Sequence, residues 1–130
     1  MSITIDGGAG ITFPDTVQQT NGMTNTGGAP RYYAARAWVN FATSGGITIR
    51  GASNVSSVSA GGTGVFTVNF TTDMPDAFYA VVCTVSRPSD PTDVCVSYTS
   101  ANVSSVVIRT FTRATGAYVD ASAVNVVIFR

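Results

Sequence analysis

Apolar and polar residues alternate with a period of two along most of the chain, as in "RAWVNF" from Arg36 and "GVFTVNF" from Gly64. Successive side chains of a strand point to opposite faces, so this pattern describes strands buried on one side. No window keeps apolar residues at helical spacing for three turns. The alternation predicts strands from Ile3 to Ile5, Ile11 to Phe13, Ala35 to Phe41, Ile47 to Arg50, Val55 to Ser59 and Gly64 to Thr71. It continues with Ala77 to Ser86, Val94 to Thr99, Val103 to Phe111, Tyr118 to Val119 and Val124 to Phe129. The turn signals "SGG", "AGGTG", "DMPD", "RPSDPTD" and "ATG" separate them at the spacing of a sandwich or barrel. The expected fold is all-β: an antiparallel β-sandwich or jelly-roll-like knob with an extended N-terminal arm.

The segment from Pro14 to Pro30 holds only Val17 and Met23 as sizeable apolar groups and cannot build a core of its own. Residues 1–30 are therefore expected to be an arm that attaches to a neighbouring subunit or another protein, and residues 31–130 the knob. The pentapeptide "NVSSV" occurs at Asn54 and again at Asn102. Two copies do not make a solenoid, and both are expected to be strand starts with an Asn closing the preceding turn.

With 130 residues the chain has the length of one domain. Seven Arg and seven Asp cancel, and His, Lys and Glu are absent. A chain without net charge offers no long-range field to nucleic acid or to an anionic membrane, so neither is an expected partner. Only 11% of residues are charged, against roughly 25% in an ordinary soluble domain, and Ser, Thr, Asn and Gly fill the polar positions. The N-terminus lacks the basic and apolar regions of a signal peptide, and no apolar run approaches the roughly 18 residues of a membrane span. The sequons at Asn54, Asn69 and Asn102 are accordingly read as unglycosylated.

The usual acids and bases of neutral-pH catalysis, His and displaced Glu or Lys, are missing, which leaves Asp, Arg, Tyr and Cys. Asp73 with Asp76, and Asp90 with Asp93, lie in Pro-containing turns, where carboxylates are solvated and bond their own backbone. No catalytic residue is expected. An oxygen-ligand cation would want six to eight ligands where the 87–93 turn offers two carboxylates, and two Cys without His cannot complete a zinc site. No metal and no cofactor are expected, the Gly-rich segments preceding strands rather than helices. Cys83 and Cys95 flank the same turn, but placing Tyr79, Val81, Cys83 and Val85 inward on one arm of a hairpin turns Cys95 outward on the other. Both are expected as reduced thiols, with Cys83 in the core beside Trp38, Phe41, Phe66, Phe70 and Tyr79. A carbohydrate-binding module would need a concave aromatic platform, for which Tyr33, Tyr98 and Tyr118 are the candidate rings.

The order Phe-Pro-Asp, Ala-x-Ala-Trp-x-Asn-Phe, Asn-Val-Ser-Ser-Val, Gly-Thr-Gly-x-Phe-Thr-Val-x-Phe and Met-Pro stands here at Phe13–Asp15, Ala35–Phe41, Asn54–Val58, Gly62–Phe70 and Met74–Pro75. It resembles the C-terminal domains of bacteriophage tail fibres and related surface-exposed virion structural proteins. The resemblance extends to about Val82. It implies a small β-sandwich-like knob, assembled as a homotrimer on the virion surface after synthesis in the host cytoplasm, with Trp38 as a core anchor whose indole N–H bonds to backbone. It implies further that the arm contacts other virion proteins and that the knob meets a host surface glycan without acting as an enzyme. A fibre shaft is not expected, because about thirty residues precede the knob. The chain is then a tail appendage or, alternatively, a capsid decoration or head-fibre protein. The remaining alternatives are a carbohydrate-binding module and a depolymerising spike enzyme, the latter opposed by the short chain and the turn placement of its Asp residues.

Overall fold

In the strand Ala35–Ala42 the alternation does what the sequence pattern requires: Ala37, Val39 and Phe41 are buried while their neighbours face away. The computed structural model describes residues 34–87 and 93–130, together with the strand backbone at 4–6, 10–12 and 18–19. Eleven strands are β1 (Thr4–Asp6), β2 (Gly10–Thr12), β3 (Gln18–Gln19), β4 (Ala35–Ala42), β5 (Thr48–Ser53), β6 (Val55–Gly62), β7 (Val65–Phe70), β8 (Ala80–Ser86), β9 (Val94–Asn102), β10 (Ser105–Thr112) and β11 (Ala123–Phe129). The chain divides into two compact units, Met1–Ala34 and Ala35–Arg130. The first contains a small antiparallel sheet, β1-β2-β3, so that Gln18–Gln19 is strand where the pattern anticipates no structure.

The second unit is an antiparallel β-sandwich. One sheet has the order β6-β7-β10-β9 and the other β5-β4-β11-β8. The four central strands supply the core between them: Ala37, Val39 and Phe41 from β4, Phe66, Val68 and Phe70 from β7, Val106 and Ile108 from β10, and Val124, Val126 and Ile128 from β11. Phe41 and Phe66 meet edge to face across the sheets at 5.6 Å, a geometry that places ring edges on π faces. Phe70 and Tyr79 do the same at 5.9 Å. The buried Tyr79 hydroxyl lies 3.0 Å from the Asn102 carbonyl and 2.9 Å from that of Ser105, tying the β7–β8 connection to the β9–β10 turn. Burial pushes the pKa of this phenol up.

Phe41, Phe66, Phe70 and Tyr79 thus occupy the expected core, and Cys83 lines it half-buried. Trp38 does not. It is 42% exposed, in phase with Arg36 and Asn40 rather than with Val39 and Phe41. A strand has two faces only, and three apolar neighbours outweigh one ring in deciding which faces inward. On the outer face the indole lies over Gly51 of β5, where an added Cβ would come within 3.2 Å of Trp38 Cη2. There Trp38 stands opposite Val127 of β11, and Val127 opposite the 51% exposed Val82 of β8, giving an apolar row across three strands. The next row is Asn40, Asn125 and Thr84, linked side chain to side chain. On the outer face of the other sheet Asn69 donates to Ser57 at 3.0 Å and to Ser59 at 3.2 Å, on the same side as the outward Val107, Arg109 and Phe111 of β10.

Two connections differ from expectation. The strands of Cys83 and Cys95 do not form the expected hairpin, since β8 pairs with β11 and β9 with β10, and the two thiols lie in different sheets. Both thiols are free. The two "NVSSV" copies also diverge. Asn54, with φ of 53°, is the single residue between β5 and β6, donating to the carbonyls of Arg36 and Thr72 at 3.1 Å and accepting from Thr72 N–H at 2.7 Å. The second copy ends β9 at Asn102 and makes the β9–β10 turn with Val103 and Ser104. Tyr118 and Val119 form no strand, Tyr118 making one isolated bridge to Phe111.

These placements separate core from surface energetically. Phe41→Ala should lower unfolding stability by about 3–5 kcal/mol, the usual cost of a lost core ring and its cavity. Trp38→Ala, removing a ring already open to water, should cost less than about 2 kcal/mol. Urea denaturation of the two variants checks the order.

Candidate functional site

The strands alternate in direction, so the β4–β5, β6–β7 and β10–β11 connections gather at one end of the sandwich. The chain enters the knob at the other end, where Arg36 donates to the carbonyl of the C-terminal Arg130. At the gathered end lies a cleft of about 380 Å³ lined by Ser44, Thr63, Arg87, Tyr118, Asp120 and Ser122. A second lobe of about 240 Å³ shares Thr63 and Asp120 with it and has Ile47 and Phe66 in its wall. Asp120 therefore borders both.

The segment that carries Tyr118 and Asp120 is irregular, yet its backbone is paired. The knob's two buried polar side chains among the described residues, Thr43 and Thr110, both hold it. Thr43 Oγ1 donates to the Ala121 carbonyl at 3.0 Å and accepts from Ala121 N–H at 2.7 Å, and Thr43 N–H reaches the same carbonyl at 3.1 Å. Thr110 Oγ1 donates to the Val119 carbonyl, and Val119 N–H returns a bond to the Thr110 carbonyl at 3.1 Å. Each threonine belongs to the other sheet from its counterpart, and between the clamped residues 119 and 121 the side chain of Asp120 is left facing solvent. Buried hydroxyls are tolerated only when bonded, and here each satisfies backbone that would otherwise be stranded.

Gly64 completes the support. Its N–H donates to Asp120 Oδ1 at 3.1 Å and its carbonyl accepts from Thr110 N–H at 2.9 Å. With φ of 66° and a hypothetical Cβ only 2.4 Å from the Thr110 carbonyl oxygen, no other residue fits without moving backbone. Arg109 lies over the Tyr118 ring at 5.5 Å, a cation–π contact that backs the aromatic wall.

Of the two candidate rings among the described residues, Tyr118 borders the cleft and Tyr98 does not. Tyr98 is 51% exposed but stands opposite the inward-facing Ile108, whereas Tyr118 bridges the outward-facing Phe111, so the two do not form a platform. Tyr33 and Asp90 lie outside the described residues. Asp76 is at the far end, where the hydrogen bond from the Arg130 guanidinium and then that from Phe78 N–H hold its carboxyl below the usual range. Asp93 accepts from Ala114 N–H at 2.8 Å and braces the β10–β11 connection. Among the described residues Asp120 is the one acid lining the two lobes. Burial pushes the Cys83 thiol up to about 11, away from nucleophilic use near neutrality. No group of three or more His, Cys, Asp or Glu clusters among the described residues.

The sequence reading missed Thr43, Thr110, Gly64 and Asp120. A signal existed for the threonines: each continues the inward phase of its strand, 37-39-41-43 and 106-108-110, and a polar residue in an apolar phase announces a buried hydrogen bond. Asp120 had none, because its partner Gly64 lies in another connection far away along the chain.

Two outcomes follow from this construction. Gly64→Ala should destabilise the knob by at least about 2 kcal/mol through strain and displaced backbone, and should broaden the NMR signals of residues 118–121. Cys83 should resist iodoacetamide at pH 8 in the folded protein and react on unfolding. Since its thiol is raised on folding, the stability it contributes is full below its unfolded pKa and falls as pH climbs toward 11; thermal melts in alkaline buffers, against a Cys83→Ala control, read this.

No protein-family model matches the chain, and no curated protein or solved structure matches it significantly.

Proposed function

We propose that the chain is a non-enzymatic structural protein of a bacteriophage virion, displayed on the particle surface in the manner of a tail-fibre tip and contacting the host cell. The observation that carries this reading is the two-ended construction of the knob: chain connection at one end, and at the other a polar cleft on a braced segment. A displayed module needs its contact surface away from its attachment. The motif order from Phe13 to Pro75 supports the virion setting. Residues 1–30 serve as the attachment segment to other virion proteins.

The outer face with Trp38, Val127 and Val82 supports assembly as a homotrimer. Its Trp38 row is apolar and neither that row nor the amide row of Asn40 carries a charge, so identical copies meet along these rows without like-charge repulsion. Antibody against the knob should label the outside of purified particles, at the tail for the tail-fibre reading and over the head for a capsid decoration. Light scattering should give three chain masses, falling toward one in Trp38→Ser while the circular dichroism stays that of a β protein. A chain absent from particles, or a wild-type monomer at micromolar concentration, overturns the corresponding part.

A further inference from the structure

We infer that the Asp120 cleft is a binding subsite for one or two neutral pyranose residues of a glycan, which rests on the host-contact reading and names its ligand class. Its chemistry is that of a polyol receptor. Asp120 has one oxygen occupied by Gly64 N–H at 3.1 Å, and among the described residues its second oxygen is available to accept from sugar hydroxyls. Vicinal hydroxyls lie close enough to bond one carboxylate together. Ser44, Thr63 and Ser122 both donate and accept, Arg87 donates, and Tyr118 offers an aromatic surface to sugar C–H groups. The main lobe, about 380 Å³, falls at the small end of the roughly 300–1,000 Å³ range of ligand pockets. The second lobe shares Thr63 and Asp120 and can take the adjoining residue against Ile47 and Phe66.

Charge selects within the class. Among the described residues one carboxylate and one guanidinium line the main lobe, and Asp120 alone is charged in the second. In the second lobe a uronic or sialic acid would bring its carboxylate against Asp120 with no guanidinium to offset it, whereas a neutral hexose meets no such cost. Preorganisation favours binding as well. Thr43 and Thr110 hold residues 119 and 121 before any ligand arrives, so little loop ordering opposes association. An open cleft of this size binds weakly, and copies on one particle compensate by avidity, which raises apparent affinity by about 10²–10⁴.

The test is an NMR titration of the full chain with methyl α-glucoside, methyl α-mannoside and methyl β-galactoside, and with galacturonate as the acidic counterpart. At least one neutral glycoside should shift the Gly64, Thr63 and Asp120 amides saturably in the millimolar range, more strongly than galacturonate. Asp120→Asn keeps an oxygen for Gly64 N–H, so it should preserve the melting temperature while weakening binding tenfold or more. No saturable shift at these amides, tighter galacturonate binding, or undiminished affinity in Asp120→Asn overturns the inference. Competition for adsorption separates it from the reading beneath: if the wild-type chain and Asp120→Asn block adsorption equally, the knob contacts the host elsewhere and the subsite falls alone. If the cleft binds a neutral glycoside but particles lack the chain, the virion reading falls and the subsite stands.

Discussion

Two threonine hydroxyls decide how the gathered end of this sandwich is arranged. Thr43 extends the inward row of β4 and Thr110 that of β10, so each sheet places one hydroxyl at the top of the core. Both bond the same short segment, Ala121 from one side and Val119 from the other. A ten-residue connection between β10 and β11 could have been loose, with few apolar contacts of its own. Instead its last third is fixed to both sheets, and Asp120 and Tyr118 inherit the rigidity of the core. The cleft is therefore a property of the sandwich, not of a loop attached to it.

The two outer faces have diverged. One sheet shows water Asn69 already paired to Ser57 and Ser59, with Val107, Arg109 and Phe111 farther across the same face. The other shows Trp38, Val127 and Val82, with an amide row beside them that is likewise internally bonded. Internally satisfied amides can be covered without leaving an unpaired group, which lowers the cost of burying that face. The gathered end differs from both in setting its polar groups around a cleft.

The same five residues behave differently in two places, and this measures how far local sequence reaches. At Asn54 the pentapeptide turns the chain from one sheet into the other through a left-handed residue. At Asn102 it closes a hairpin within one sheet. Asn suits both, since it tolerates positive φ and bonds nearby backbone. What separates them is the partner: Asn54 finds the carbonyls of Arg36 and Thr72, while Asn102 sits against the Tyr79 hydroxyl that its own carbonyl accepts.

The fold class, most strand positions and the inward phase of the central strands were legible in the sequence, because period-two alternation is a local consequence of backbone geometry. Phe41, Phe66, Phe70 and Tyr79 could be assigned to the core from it, and Trp38 could have been kept out, since it shares the phase of Arg36 and Asn40. Size suggested burial and parity overruled it. Sheet membership was not legible: Cys83 and Cys95 flank one connection and yet lie in different sheets, because strand pairing is settled by long-range packing of whole faces. The cleft belongs to the same category. Asp120 meets Gly64, Thr63 and Arg87 only once three separate connections converge, and no spacing along the chain encodes an encounter between residues that the core alone brings together.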